Sequence, residues 1–141
     1  MSGKQNRNGF DGRLQTILHS VMFDWQLSSQ KTAAEIMATY MTPDFSAEID
    51  GHTLDHDTFQ SRIDRMRRDA EVATQDFVEM MEEGDRVFSM HHISGMSRAT
   101  GQPFETRVIA LFYFSGDKIR KCYLNSVTLG DARDADFASR S

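Results

Sequence analysis

The sequence predicts an α+β domain in which three N-terminal helices pack over one face of a mainly antiparallel sheet. Two observations carry this. Up to about Ala70, apolar residues recur at helical spacing in three segments, with one short alternating segment among them. Beyond it the chain becomes four extended runs rich in Val, Ile, Phe and Tyr. The turns joining those runs are short, and turns of that length permit only hairpins, so the sheet is antiparallel. Helices followed by a long curled meander imply one helical layer on one sheet face.

The first helix runs from about Asp11 to Ser28. Leu14, Ile17, Leu18, Val21, Met22 and Trp25 make a single apolar stripe along it. Thr32 with Glu35 is a capping box that opens the second helix, whose apolar face is Ala33, Ile36, Met37 and Tyr40 and whose continuation Pro43 prevents. Phe45 to Asp50 alternates apolar and polar residues, which predicts a strand with one buried face; Gly51 lets the chain turn, and Gly51 to Asp55 reads as a loop. Asp55 is an N-cap for the third helix, on which Phe59, Ile63, Met66 and Ala70 share a face. The four extended runs are Val72–Met81, Arg86–Ser97, Phe104–Phe114 and Lys118–Thr128, with Gly-containing turns between them.

At 141 residues and 39% apolar, the chain is one domain with enough material for one core. Residues 1–10 read as a frayed N-terminus, 11–130 as the domain and 131–141 as a polar tail. The net charge of −5 argues against nucleic acid, which requires clustered Lys and Arg. No apolar run approaches the ~20 residues of a membrane helix, and no signal peptide is visible. A lone Cys122 makes no internal disulfide, so the expected compartment is the reducing cytoplasm. Cys122 itself reads as an inert small hydrophobe in the last strand.

Three local patterns, in this order, resemble the nuclear transport factor 2-like superfamily, which includes ketosteroid isomerase-like proteins and SnoaL-like polyketide cyclases. They are Tyr40–Phe45 at a helix-to-strand junction, Glu83–Val87 at a hairpin, and Ile109–Ile119 across the last hairpin. The resemblance covers Leu14 to Thr128. It implies a strongly curved sheet forming a cone with an internal apolar pocket and a hydrophobic small molecule as ligand; no cofactor is expected. Such a frame hosts isomerases, cyclases, dehydratases and non-catalytic binding modules, so fold does not supply function.

Carried over residue by residue, the family's catalytic positions fall on groups without acid–base chemistry. The isomerase tyrosine falls at Phe23, its carboxylate base at Ile49 and its second acid at Ala110, and the cyclase acid falls at Leu124. Together with Trp25 and Phe112 these residues are expected to contact a ligand. His91 and His92 point to opposite faces of their strand, and His91 is favoured inward because it continues the row Val87, Ser89, Ile93. An inward histidine serves either as a general base or as a hydrogen-bonded core residue. Tyr40 and Asp50 are its candidate partners in catalysis, with plain core and turn roles as the alternatives. No metal site is expected: His52 and His56 are four apart but do not share a helix. Arg62, Arg65, Arg67 and Arg68 read as a solvated face of the third helix or as an anion site.

Ile109, Leu111, Tyr113 and Tyr123 form an apolar row on the opposite sheet face, for which a two-fold homodimer is the expected cover. The functional expectation is a small-molecule binder, with isomerase, cyclase or dehydratase chemistry on a hydrophobic carbonyl or polyketide-like compound. The alternative is a non-catalytic binding or interaction module.

Overall fold

The structure, a computed structural model, describes residues 12–28 and 30–129. The expected frayed ends, 1–10 and 131–141, lie outside the described residues. Helix α1 is Arg13–Met22 and runs into a π-helical turn, Phe23–Leu27. Then follow α2 (Ala33–Tyr40), β1 (Met41–Ile49), β2 (His52–Asp55), α3 (His56–Asp69), β3 (Ala70–Glu83), β4 (Arg86–Ser97), β5 (Pro103–Ser115) and β6 (Lys118–Thr128).

The helix starts have local causes. The Thr32 hydroxyl accepts from Glu35 N–H at 3.1 Å while the Glu35 carboxylate accepts from Thr32 N–H at 2.8 Å, so two free donors of α2 are satisfied reciprocally. Asp55 caps α3 by accepting from Thr58 N–H at 2.9 Å. The N-terminus of α1 is capped from the sheet, because the Glu82 carboxylate of β3 accepts from the N–H groups of Leu14 and Gln15, both at 3.1 Å. Pro43 lies inside β1, within the stretch where pairing with β6 is interrupted, a position that costs no ladder bond.

Gly51 to Asp55 is not the expected loop. His52–Asp55 pairs antiparallel with β1, Ile49 opposite His52. The two-residue connection Asp50-Gly51 has φ of +50° and +88°, the double left-handed conformation of a tight hairpin turn that Asp-Gly favours.

The six strands lie in the order β2-β1-β6-β5-β4-β3. All neighbours are antiparallel except β1 and β6, which are parallel, so the sheet is mixed. The strongly curved cone is therefore corrected. The sheet is open and not strongly curled; β2 and β3 are its two edges and do not pair. The physical reason lies in the connection between those edges. They are joined by α3, whose 14 residues make a rod of about 21 Å at 1.5 Å per residue. That rod packs on β1, β2 and β3, so it spans the gap a closed sheet would have to seal.

Helices cover one face of the sheet. Leu14, Leu18, Val21 and Met22 of α1, Ile36 and Met37 of α2, and Phe59 and Ile63 of α3 are buried against the inner rows of the strands. In β4 that row is Val87, Ser89, His91 and Ile93; in β5 it is Val108, Ala110, Phe112 and Phe114. On the other face, Ile109 and Tyr123 are exposed and Leu111 and Tyr113 half-buried.

Candidate functional site

Strand register determines where the helical layer leaves space. Across the sheet, Ile49 pairs with Leu124, Leu124 with Ala110, and Ala110 with Ser89. One step further along, Ser126 pairs with Val108, Val108 with His91, and His91 with Phe77. The half of the sheet holding Ala110 and Phe112 is packed solid. The other half is roofed by the π-helical turn and by α3, which leave a cavity of about 250 Å³. That is near the lower end of small-molecule sites, roughly 300–1,000 Å³.

The floor of the cavity comes from Ile49, Leu124 and Ser126, from Phe104, Thr106 and Val108 of β5, and from His91 and Ile93 of β4. Its roof comes from Met22, Trp25 and Gln26, its side from Arg62, Met66 and Arg67 of α3, and the start of β3 closes it with Ala70 and Val72. The wall is mostly apolar and, among the described residues, contains no carboxylate.

Two ring nitrogens on this wall are buried without a hydrogen-bond partner: Trp25 Nε1 and His91 Nε2. Trp25 is held edge-on against Phe59, centroids 5.3 Å apart, and Phe59 in turn against Phe45 at 4.9 Å. The rigid aromatic stack fixes the indole. His91 lies 5.2 Å from the Phe77 ring, and its Nδ1 is 3.5 Å from Ser89 Oγ, a weak contact. Burial, helped by the neighbouring His92, pushes His91 down to about 4, so its imidazole is neutral at pH 7. When Nδ1–H donates to Ser89, Nε2 is an acceptor; in the other tautomer Nε2–H is a donor.

The arginines of α3 divide into two kinds. Arg67 is committed to the roof: its guanidinium donates to the carbonyls of Asp24 (2.6 Å), Lys31 (2.7 Å), Trp25 and Ser28 (both 3.3 Å). Arg62 is half-buried on the cavity wall and makes neither a hydrogen bond nor an ion pair among the described residues. Burial, then repulsion from Arg65, lowers its pKa, with Asp50 opposing the shift.

Of the other residues singled out in the sequence, Trp25, Ile49 and Leu124 stand on the wall. Ala110 and Phe112 are buried in the packed half of the sheet and do not line it. Phe23 is 54% exposed, outside the wall. Met22 and Trp25, which ordinary helical spacing puts on the buried stripe, face inward instead, and the π-helical turn begins at Phe23. Tyr40 donates its hydroxyl to Asp24 away from the cavity; burial, with that bond and the Asp24 charge, raises it to about 12. Asp50 is exposed and accepts from Ser126 at the rim. Cys122 is buried, and burial pushes its thiol up.

Sequence reasoning missed Arg62, Arg67, Phe104, Thr106 and Ser126 as wall residues. Arg62 and Met66 are one turn apart on α3, so the apolar face already pointed to the arginine beside it. Among the described residues no group of three or more His, Cys, Asp or Glu side chains comes together as a metal site. No helix among them is long and apolar enough to cross a membrane.

The comparisons agree with this architecture. Among curated proteins none matches the chain. Among solved structures, IdmH from Streptomyces antibioticus, provisionally named a polyketide cyclase, superposes with a TM-score of 0.71 at 12% identity, covering 90% of this chain and 99% of its own. A protein from Rhodopseudomonas palustris, provisionally named an isomerase, gives 0.73 at 12% identity, covering 90% and 98%. A hypothetical protein of ketosteroid isomerase-like fold from Catenulispora acidiphila, in complex with trimethylamine, gives 0.63 at 16% identity, covering 77% and 82%. At such identities the likeness shows the fold alone. The sequence itself matches the family model described as a SnoaL-like domain over residues 26–122. That match spans β1, β4, β5 and most of the cavity wall, and the chain belongs to the SnoaL-like domain family.

Proposed function

We propose that the protein binds a hydrophobic carbonyl or polyketide-like small molecule in this cavity. The observation that carries the reading is the pair of unpartnered nitrogens, Trp25 Nε1 and His91 Nε2, on a mostly apolar wall. A buried polar atom without a partner costs about 1–3 kcal/mol. A ligand oxygen accepting from the indole N–H would remove that cost, while the apolar wall takes up the rest of the molecule. The provisional name of one structural neighbour, a polyketide cyclase, supports the same class of compound.

A second reading makes the cavity an isomerase, cyclase or dehydratase site with His91 as base. It is favoured by one fact: His91 is the only wall side chain whose ordinary pKa lies near neutrality. Magnitude ranks it second. A general base works best with a pKa near the working pH, and a value of about 4 falls well short of that. Asp50 and Tyr40, off the wall, have no part in either reading.

The chain's single tryptophan is on the wall, so its emission reports binding. Titration with a panel of hydrophobic ketones should change that emission saturably. A panel giving neither a saturable response nor heat in calorimetry would retire the reading. Turnover of an isomerisable ketone that disappears in His91→Ala, with binding retained, would put the catalytic reading first.

The protein is also proposed to form a homodimer through the outer sheet face. The 44% exposure of Ile109 and 37% exposure of Tyr123, beside half-buried Leu111 and Tyr113, support that reading.

A further inference from the structure

Resting on the cavity as a ligand site, we propose that the ligand carries a carboxylate and that Arg62 receives it. Among the described residues the wall holds two guanidinium groups and no carboxylate, in a chain whose net charge is −5. Positive charge concentrated in a cavity of an acidic protein calls for an account. One of the two is explained by structure: Arg67 spends its donors on four backbone carbonyls and holds the roof in place.

Arg62 has no such employment. Ion pairs engage Arg13, Arg86, Arg98 and Arg120 with carboxylates elsewhere on the molecule. Arg62 makes none. The nearby acid is Asp50, but its carboxylate is held by the Ser126 N–H and hydroxyl, each at 2.8 Å. Arg65, on the same helix, repels Arg62. A half-buried guanidinium with unspent planar donors is a fork for a carboxylate, which it binds through two parallel hydrogen bonds.

The surroundings specify the rest of the ligand. Met22, Ile49, Met66, Val108 and Leu124 give the cavity an apolar body, and Trp25, 4% exposed, adds one unpartnered indole donor. The assigned ligand is an apolar acid lying along the sheet, its carboxylate at the α3 side and a second acceptor oxygen within reach of Trp25. A phosphate is a poorer fit, because a dianion set against a single free guanidinium in an apolar wall leaves most of its oxygens unsatisfied.

The test uses the full chain and matched probes, followed by Trp25 emission and by calorimetry. The probes are 2-naphthoate, methyl 2-naphthoate, 2-naphthylmethylammonium and 2-naphthyl phosphate. The acid should bind at least tenfold more tightly than the ester and the cation. Arg62→Gln should erase that preference by weakening the acid far more than the ester, and Arg62→Lys should keep part of it. Arg65→Gln removes the same charge from an exposed neighbour and should keep most of the preference for the acid. Equal binding of acid and ester in the native protein would overturn the carboxylate while leaving the cavity as a binding site. So would a tenfold preference for the phosphate, or an equal loss of acid and ester in Arg62→Gln. Binding of no probe at all would remove both the cavity reading and this inference.

Discussion

Asp50 and Ser126 tie the turn after β1 to the end of β6: the carboxylate of the first accepts both the backbone N–H and the hydroxyl of the second, each at 2.8 Å. Asp50 N–H in turn donates to Leu124 O at 2.9 Å. Leu124 and Ser126 both face the cavity, so Asp50 braces its rim from outside.

Asp50 also sits at φ +50°, where aspartate is tolerated and alanine is strained. Asp50→Ala therefore loses the two bonds and gains backbone strain, and should cost about 1–2 kcal/mol. Asp50→Asn keeps the backbone tolerance and one acceptor and should cost less than half as much. Urea unfolding of both variants checks the order; an alanine variant as stable as the parent would show the brace to be idle.

His91 predicts a pH dependence. Its folded pKa is pushed down to about 4, from 6.5 in the unfolded chain, by burial and by His92. Between those values the unfolded chain takes up a proton that the native protein does not, so stability falls as pH falls from about 6.5 toward 4. Above that window the term contributes nothing, and below it the native state carries the full penalty, about 3 kcal/mol. Carboxylates titrate in the same range, so the difference between the parent and His91→Gln isolates the histidine. The variant should lose less stability between pH 7 and 4.5. Parallel stability curves would show that His91 titrates like a solvated imidazole.

Apart from β2, read as a loop, the order of elements was legible because each rests on local chemistry. The Thr32–Glu35 box, the Asp55 cap and the Gly-containing hairpins act within a few residues, and all appear where the pattern put them. Openness of the sheet was not legible. It depends on α3 bridging two edges, and on β6 accepting β1 in parallel, neither of which leaves a local mark. The cavity wall fell between these cases. Alternation along β4 separates the inner row Val87, Ser89, His91 from its neighbours, but a strand pattern does not say how far along the sheet the helices stop. That is why Ala110 and Phe112, on an inner row, are packed instead of lining the cavity. Phe23 was put at the ligand by the family resemblance; helical spacing, which leaves it off the stripe holding Met22 and Trp25, already pointed outward.

Gly95 is required by close approach, not by turn geometry. A Cβ there would lie 2.0 Å from Glu71 O and 2.9 Å from the Cα of Val72, both backbone atoms of β3. Gly95 pairs with Val72, next to the irregularity between Val72 and Thr74, and Val72 is on the cavity wall. Relief would need β3 itself to move, so Gly95→Ala should cost about 1–3 kcal/mol. For a domain of this size that lowers the melting temperature by several degrees, and ligand-induced quenching of Trp25 should weaken with it. An unchanged melting temperature would mean that β3 is looser than its pairing implies.

The outer sheet face supplies the last prediction. Leu111 pairs with Tyr123 across β5 and β6, Tyr113 meets Tyr123 with ring centroids 6.2 Å apart, and Ile109 continues the row. Arg120 and Lys121 stand over Tyr113 and Tyr123, each 5.2 Å from a centroid, so cations flank the aromatic centre. A two-fold axis through this face would bury the aromatic centre against its own copy and leave the cations at the rim, the division of labour that stable interfaces show. Light scattering should give twice the 16.1 kDa chain mass. Ile109→Asp places an unpaired charge at that centre and should give the single-chain mass. The cavity lies on the opposite face, so the variant should keep the Trp25 titration of the parent. A monomeric parent at high micromolar concentration would end the proposal, and a dimer that persists in Ile109→Asp would move the interface to another surface.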